Sequence, residues 1–325
     1  MKVLVVGGAG YIGSFVVRKL IEGNFEVLVV DNLSTGHKES VPASMLEVLD
    51  VTNQEALKEV FSTNSILAIL HLANFSDPYD SFKKPYAYFR DNFLTTLNLL
   101  DCAREARVKK FIYASSYNIY GFPVNDPVYE DYPVDLRSVY AETKISCERL
   151  LGWYDLLYGV RSVVLRLASV GGASLDGNMG EDKKDCLGIV SQISKASMTD
   201  GVFRIPGVDF ETNDGTFIRD YIHVEDVAEA FIKALKFLTT SPKSDVFNIG
   251  GGKGYSVKEL CALAEEQTGK ALNLVPLNSK RIDPPKIVTS NSKAYDMLSW
   301  SPKYSIKDLI ETSVYFWAKH PEGLN

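Results

Sequence analysis

The chain has 325 residues, of which 46% are apolar and 23% charged, the composition of a globular protein with one large domain or two modest ones. Its formal net charge of −6 gives no electrostatic footprint for nucleic acid or an anionic membrane. No apolar run reaches the roughly 18–20 residues of a membrane-spanning helix, and the first residues, MKVLVV, lack the features of a signal peptide. We therefore expect a cytoplasmic protein without nucleic-acid or membrane partners.

The first 170 residues alternate short apolar runs with helix-sized segments. Met1–Val6 is followed by glycines and by a helical stretch over Ser14–Glu22, and the next run, Phe25–Val30, ends at Asp31. Further strand candidates are Ile66–Leu72, Phe111–Ala114 and Ser162–Leu167. Continuous apolar runs are typical of parallel strands that are buried on both faces. The alternation predicts an α/β fold with a Rossmann-type, doubly wound parallel sheet.

The second half of the chain has a different character. Glycines and Asp-Gly pairs punctuate residues 171–220, which predicts loops. Val224–Leu238 predicts a helix and Asp245–Ile249 a strand, whereas the last 75 residues contain one clear helix, Val257–Thr268, among proline-marked loops. We expect residues 1–168 to form a nucleotide-binding domain, to which 221–249 returns. Residues 169–220 and 250–325 would form a smaller α/β substrate domain.

The segment KVLVVGGAGYIG places Gly7, Gly10 and Gly13 directly after the first strand and at the start of a helix. One glycine permits the tight turn, the second lets the backbone approach a pyrophosphate, and the third packs the helix on the sheet. Asp31, at the end of the second strand, is placed to accept both ribose hydroxyls of adenosine and to repel a 2′-phosphate. This pattern predicts NAD rather than NADP. Asp50 is either a partner of the adenine amino group or a solvated loop acid.

The cysteines and histidines do not point to a disulfide framework or a metal site. The four cysteines are far apart and form no CxxC pair, which is typical of free, buried thiols in a reducing compartment. The four histidines have no paired spacing, so we predict no bound metal. We interpret His71, in LHLAN, as a hydrogen-bonded histidine beside the cofactor rather than an acid–base group.

A candidate catalytic group follows in FIYASSYNIYG and SVYAETK. Tyr140 and Lys144 are four residues apart in a predicted helix, so their side chains share a face. A neighbouring ammonium and a nicotinamide cation would both lower the pKa of the tyrosine phenol, which is otherwise about 10. Ser116 follows a parallel strand at the carboxyl edge of the sheet, where it can hydrogen-bond a substrate oxygen. The Tyr and Lys spacing alone occurs by chance in many helices and is more typical of ordinary helix packing.

Seven motifs occur in a fixed order: GGAGYIG, DNLSTG, LDV, HLAN, SSYNIYG, YAETK and RDYIHVEDVAEA. In these motifs the chain resembles the extended short-chain dehydrogenase/reductase family, most of all the UDP-glucose (UDP-galactose) 4-epimerases and related nucleotide-sugar epimerases. The resemblance implies NAD as cofactor, a UDP-sugar or similar nucleotide-diphosphate sugar as substrate, and epimerisation at C4 through a transient 4-keto sugar. It implies catalytic roles for Ser116, Tyr140 and Lys144. The implied NAD contacts are Gly7, Gly10, Tyr11, Ile12, Gly13, Asp31, Asn32, Asp50, Val51, Leu72, Ala73, Asn92, Tyr140 and Lys144.

On the substrate side the chain departs from the pattern it resembles. The implied substrate contacts are Ser116, Tyr140, Ser169, Leu187, Arg219 and Arg281. Ser169 places a hydroxyl where the resembling epimerases carry an asparagine, and Cys186 replaces another asparagine before Leu187. Pro206 stands near the expected base-binding strand, where an aromatic residue is common. The second phosphate contact is either Lys280 or Arg281, and the sugar and base stay open.

Three other functions use the same fold. Related dehydratases and decarboxylases carry carboxylates immediately after the catalytic hydroxyl, whereas this chain has Tyr117 and Asn118, which disfavours elimination. A dehydrogenase or reductase would use the same three catalytic residues. A non-catalytic NAD-binding regulatory protein would be expected to lose the tyrosine, the lysine or a glycine, all of which are present. An NAD-dependent isomerase is therefore the leading prediction.

The sequence also bears on assembly. Residues 150–158, LLGWYDLLY, are apolar around nearly the whole circumference of the predicted helix, so this helix should be covered on two sides. A second apolar helical face comprises Phe93, Leu94, Leu97, Leu100 and Ala103. The family resemblance implies that these helices pair across a two-fold axis in a homodimer. The alternative is that both faces are buried within one subunit.

Overall fold

Strands and helices alternate through the first half of the chain in a computed structural model, which describes residues 1–182, 188–241, 243–278 and 283–324. The strands are β1 (Lys2–Val6), β2 (Val27–Asp31), β3 (Leu46–Val48), β4 (Ile66–His71), β5 (Lys110–Ser116) and β6 (Arg161–Leu167). The helices are α1 (Tyr11–Glu22), α2 (Gln54–Thr63), α3 (Pro78–Lys83), α4 (Pro85–Tyr88), α5 (Thr95–Glu105) and α6 (Val139–Tyr158). A π-helical turn over Phe89–Leu94 joins α4 to α5.

The second half contributes shorter strands and five helices to the described part of the chain. Its strands are β7 (Ser169–Gly171), β8 (Val202–Ile205), β9 (Ile218–His223), β10 (Asp245–Ile249), β11 (Gly254–Ser256), β12 (Asn273–Pro276) and β13 (Lys286–Ile287). Its helices are α7 (Ile189–Met198), α8 (Val224–Thr240), α9 (Val257–Thr268), α10 (Ser292–Leu298) and α11 (Ile306–Lys319).

The central sheet has seven parallel strands in the order β10-β6-β5-β4-β1-β2-β3. This arrangement confirms the predicted doubly wound α/β fold. Successive residues of β1 pack on opposite faces of the sheet. Val3 and Val5 pack with α1 and α8, whereas Leu4 and Val6 pack with α2, α5 and α6. Burial on both faces explains why the strands have continuous rather than alternating apolar patterns.

A smaller group of elements packs beside the carboxyl edge of the central sheet. Strand β9 pairs with β7, β11 and β13, and β8 pairs with β12. Helices α7, α9 and α11 share one apolar core with β8 and β9. The loops predicted for residues 171–220 are therefore only partly correct, because α7 and two strands lie there.

Helices α10 and α11 were not predicted either. Helix α11 begins with a capping box, in which the side chains of Ser305 and Asp308 bond each other's backbone N–H groups. Its apolar residues, Leu309, Ile310 and Val314, pack against α7 and α9. Because several of its residues are β-branched and have low helix propensity, this tertiary packing stabilises the helix where local preference does not.

Two residues of the predicted second apolar face are not available for contact with another subunit. Leu100 and Ala103 are fully buried within the subunit, in the core between the sheet and α2, α5 and α6. By contrast, Trp153, Leu156 and Leu157 near the end of α6 are 61%, 73% and 61% exposed. Of the two predicted faces, the end of α6 is therefore the one that presents these three large apolar side chains to the outside.

Two further features concern the chain as a whole. Cys102, Cys147 and Cys261 are buried free thiols, and Cys186 lies outside the described residues. Within the described ranges, none of the helices combines the length and the apolar character that crossing a bilayer requires.

Candidate active site

A cavity of about 810 Å³ opens at the carboxyl ends of β1, β2, β4 and β5, the edge where doubly wound sheets bind ligands. Residues of β7, β8 and β9 line its opposite wall. The predicted residues that line it are Gly7, Gly10, Tyr11, Ile12, Gly13, Asp31, Asn32, Asp50, Val51, Leu72, Ala73, Ser116, Tyr140, Lys144, Ser169 and Arg219. One cavity therefore collects residues that separate motifs predict.

The glycine loop after β1 leaves little room for side chains. Gly7 has a φ of +81°, which favours glycine, and a Cβ on it would lie 2.5 Å from the backbone nitrogen of Ala73. A Cβ on Gly13 would overlap the carbonyl oxygen of Gly7. Helix α1 begins after Gly10, and no side chain caps its first N–H groups, the arrangement with which helices bind anions. This cradle fits the pyrophosphate of a dinucleotide.

Two carboxylates lie along the same edge. The Asp31 Oδ2 accepts a hydrogen bond from the backbone nitrogen of Ala9 (2.9 Å), and its Oδ1 accepts one from that of Leu33 (2.8 Å). A carboxylate offers about four acceptor positions, so Asp31 keeps capacity for ribose hydroxyls. Asp50 Oδ1 accepts hydrogen bonds from the backbone nitrogen and the hydroxyl of Thr52 (2.9 and 2.7 Å), which orient it at the wall.

The side-chain amide of Asn74 also lines the cavity. Its nitrogen and its oxygen are both buried, and neither has a hydrogen-bond partner among the described residues. Buried amides are almost always hydrogen-bonded, so this pair of atoms indicates a ligand that satisfies both. Together with the glycine loop and Asp31, it supports the fit of a dinucleotide to this half of the cavity.

Ser116, Tyr140 and Lys144 meet at one wall. Ser116 is the last residue of β5, and the other two lie in the first turns of α6, which the side chain of Ser138 caps. Lys144 Nζ donates a hydrogen bond to the carbonyl oxygen of Ala114 at 2.7 Å and lies 5.5 Å from the centre of the Tyr140 ring. A phenol, a hydroxyl and an amine are thus available for proton transfer at one point.

Burial dominates the electrostatics of this wall. Burial raises the pKa of Tyr140 to about 12, although a hydrogen bond with Ser116 opposes the rise. Burial also lowers the pKa of Lys144 to about 7, so this amine holds only part of its charge at neutral pH. In the chain by itself desolvation of both groups therefore dominates, and the lowering of the phenol pKa by Lys144 together with a nicotinamide cation stays a prediction.

His71 is buried behind the cavity. Its Nε2 lies 3.0 Å from the hydroxyl oxygen of Thr96, and burial together with the charge of Lys144 lowers its pKa to about 3. The ring is neutral at physiological pH, which argues against acid–base work. In the part of the chain that the structure describes, no three His, Cys, Asp or Glu side chains come together as metal ligands.

Asn92 lies in the π-helical turn and is completely buried. Its Oδ1 accepts a hydrogen bond from the backbone nitrogen of Phe75 (2.8 Å), while its Nδ2 donates to the carbonyl oxygen of Phe75 and to the Thr143 hydroxyl (3.0 and 3.1 Å). Asn92 does not line the cavity; it ties the segment after β4 to α6. Direct contact with the cofactor stays a prediction.

The wall formed by β7 and β9 carries the predicted substrate contacts. The hydroxyl oxygens of Ser169 and Tyr117 are 2.7 Å apart. Arg219 is buried, donates from Nη1 to the carbonyl oxygen of Pro284 (2.7 Å), and forms an ion pair with Asp283 (3.2 Å). Four residues named in the sequence analysis lie outside the described residues: Cys186, Leu187, Lys280 and Arg281.

Comparison with known proteins places this site in a family. Residues 3–250 match the family model of the NAD dependent epimerase/dehydratase family. The chain belongs to this family. It is 38% identical over 326 residues to the UDP-glucose 4-epimerase of Lactobacillus helveticus, with 99% of each chain covered.

Solved structures agree with the family assignment. The chain superposes on the crystal structure of a UDP-glucose 4-epimerase with a TM-score of 0.96 at 34% identity, covering 100% of both chains. It superposes equally completely on the UDP-glucose 4-epimerase from Bifidobacterium longum in complex with NAD+ and UDP, with a TM-score of 0.94 at 29% identity. These matches confirm the family resemblance and the Rossmann-type fold predicted from the sequence.

Some cavity residues of this epimerase/dehydratase family member were not predicted as contacts. They are Asn74, Tyr117, Arg204, Tyr221 and Asp283. Two of them carried a sequence signal: Tyr117 directly follows Ser116, and Tyr221 stands two residues after Arg219 in a strand, and so on the same face. Asp283 carried none, because only tertiary packing brings it to Arg219.

Proposed function

We propose that this chain is an NAD-dependent epimerase that inverts C4 of a UDP-sugar of the glucose and galactose type. The observation that carries the proposal is the meeting of Ser116, Tyr140 and Lys144 at the wall of a cavity that also holds a dinucleotide cradle. The relative and the structures reported above, named UDP-glucose 4-epimerases, support the substrate class. As an isomerase, the chain needs no second substrate.

NAD would lie along the glycine loop. Gly7, Gly10 and Gly13 would hold its pyrophosphate, Asp31 the adenosine ribose, and Asp50 the adenine edge. When bound, NAD would supply the hydride acceptor for C4 and, in its reduced form, the hydride donor.

The remaining chemistry belongs to the chain. Ser116 holds the C4 hydroxyl by a hydrogen bond, and Tyr140 takes its proton as the C4 hydrogen leaves as hydride. Lys144 adds positive charge beside the phenol and so favours its ionised form. The 4-keto sugar turns within the cavity, and Tyr140 returns the proton to the oxygen after hydride reaches the other face. Proton transfer of this kind contributes about 10²–10⁴-fold to the rate.

A dehydratase is disfavoured by the residues after Ser116. Tyr117 and Asn118 carry no carboxylate that could supply the extra acid–base step of an elimination. A reductase would use the same catalytic group, but it would consume reduced cofactor in proportion to product.

We propose three further assignments. Residues 1–168 and 221–249 form the NAD-binding domain, since β10 pairs with β6, and residues 169–220 and 250–325 form the nucleotide-sugar domain. The chain forms a homodimer through the exposed apolar end of α6. It works in the reducing cytoplasm, as its three described free thiols favour.

The direct test is interconversion of UDP-glucose and UDP-galactose by purified protein without added reductant. We expect turnover by the wild type, and loss of about 10²–10⁴-fold in Tyr140→Phe with bound NAD retained. Tyr129→Phe, which alters a half-exposed loop tyrosine, is the matched control and should be unaffected. Turnover by Tyr140→Phe close to that of the wild type, or no turnover by the wild type, would refute the proposal.

A further inference from the structure

Three hydroxyl groups face the cavity beside Arg219. We call Tyr117, Ser169 and Tyr221 the hydroxyl cluster. Tyr117 follows β5, and its hydroxyl oxygen lies 2.7 Å from that of Ser169 in β7. Ser169 pairs in register with Tyr221 in the neighbouring strand β9. All three line the cavity, so two strands and one strand end converge on one polar patch.

The hydroxyl cluster and the neighbouring Arg219 each have one buried polar atom that forms no hydrogen bond with the described residues. Tyr221 is 5% exposed, and its buried hydroxyl has no hydrogen-bond partner among them. Arg219 Nη2 is also buried without a hydrogen bond there, having only its ion pair with Asp283. Leaving such groups unsatisfied destabilises a fold, so the two of them at one cavity wall indicate a ligand.

The chemistry of the patch selects an anionic, oxygen-rich ligand. It offers phenol and serine hydroxyls and a guanidinium N–H, all of them donors to oxygen, and one permanent positive charge. The carboxylate of Asp283 opposes an anion, but burial raises its pKa to about 7 and so reduces its charge at neutral pH. A diphosphate provides many acceptor oxygens and a charge that matches Arg219.

We propose that Tyr117 and Tyr221 are further substrate-binding residues, which donate hydrogen bonds to the diphosphate of the nucleotide sugar beside Arg219. Tyr221 contributes its unbonded hydroxyl, while Tyr117 contributes its own hydroxyl and holds that of Ser169 in place. The inference rests on the proposed function for its ligand. Within that function it assigns two residues for which the family pattern gave no role in the sequence analysis.

The test measures binding of UDP and of UDP-glucose to Tyr117→Phe and Tyr221→Phe by calorimetry. Each variant loses one hydroxyl and keeps its ring, and melting temperature and NAD content report whether the fold is intact. We expect each variant to bind both ligands about ten-fold more weakly, the effect of one hydrogen bond to a charged group. Tyr255→Phe is the matched control, because Tyr255 pairs in register with Arg219 but does not line the cavity.

The outcomes separate the two proposals. Failure of the wild type to bind UDP would refute the proposed function. Binding by the wild type with unchanged affinity in both variants would overturn this inference alone. Weaker binding of UDP-glucose with unchanged binding of UDP would also overturn it, since the hydroxyls would then contact the sugar and not the diphosphate.

Discussion

At the scale of single residues, burial shifts the pKa values of several titratable groups that line the cavity. Burial raises the pKa of Tyr140 to about 12 and that of Asp283 to about 7, and lowers that of Lys144 to about 7. The two groups that titrate near neutrality both make the cavity more negative as pH rises. Below pH 7 Asp283 is neutral and Lys144 is charged, whereas above it the reverse holds.

The direction of these two charge changes predicts how the affinity for UDP depends on pH. The dissociation constant for UDP should increase as pH rises from about 6 to about 8. Across that range the cavity loses the positive charge of Lys144 and gains the negative charge of Asp283. The measurement is calorimetric titration with UDP at both ends. Asp283→Asn removes one of the two titrations and should show a smaller increase. Tighter binding of UDP by the wild type at the higher pH would contradict the assignment.

At the scale of secondary-structure elements, a buried ionic network connects β5, β6 and α6. Glu148, one turn beyond Lys144, accepts hydrogen bonds from the hydroxyl of Ser115 (2.5 Å) and from the guanidinium of Arg166 (2.7 Å). The Arg166 and Glu148 side chains are only 8% and 6% exposed. Because Ser115 precedes Ser116, the network fixes the position of α6 relative to the end of β5.

Removing one charge of this pair should destabilise the fold. Glu148→Gln leaves Arg166 buried without its carboxylate, and loss of one partner of a buried ion pair costs about 3–5 kcal/mol. Urea denaturation of the purified variant measures the free energy of unfolding. Glu311→Gln, on the exposed face of α11, is the matched control and should change it by less than about 0.5 kcal/mol. Equal midpoints for the two variants would show that the network contributes little.

The secondary-structure elements differ in how far the sequence predicts them. The strands of the central sheet are predictable because burial on both faces demands continuous apolar runs, and Asp31 and Ser116 are predictable because strand ends carry ligand contacts. Helix α11 is not, since its stability depends on packing against α7 and α9, which are distant in sequence. Tyr221 and Asn74 are recognised by their unbonded buried atoms, a property that requires coordinates.

At the scale of the whole molecule, the exposed apolar end of α6 bears on assembly. Trp153, Leu156 and Leu157 are each more than half exposed, and a cluster of large apolar side chains of this kind marks an interaction site. We expect light scattering to give about twice the chain mass of 36.1 kDa for the wild type. Leu156→Arg should shift the value to that of one chain, because the charge would be buried at the interface.

The control for assembly is Leu175→Arg. Leu175 is 64% exposed but lies in a loop away from α6, so the same substitution there should leave the mass of the dimer unchanged. A wild-type mass of one chain, or a dimer that Leu156→Arg leaves intact, would disprove the assignment of this surface.

The position of β10 in the central sheet has a consequence for biosynthesis. Strand β10 is the neighbour of β6, but residues 168–244 lie between them in the chain. On a ribosome, the outer backbone N–H and C=O groups of β6 therefore remain unpaired while that whole stretch is translated. An unpaired strand edge is a template for aggregation. The central sheet becomes complete only after most of the nascent chain has emerged. A message truncated after residue 168 would yield an open-edged sheet rather than a smaller nucleotide-binding protein.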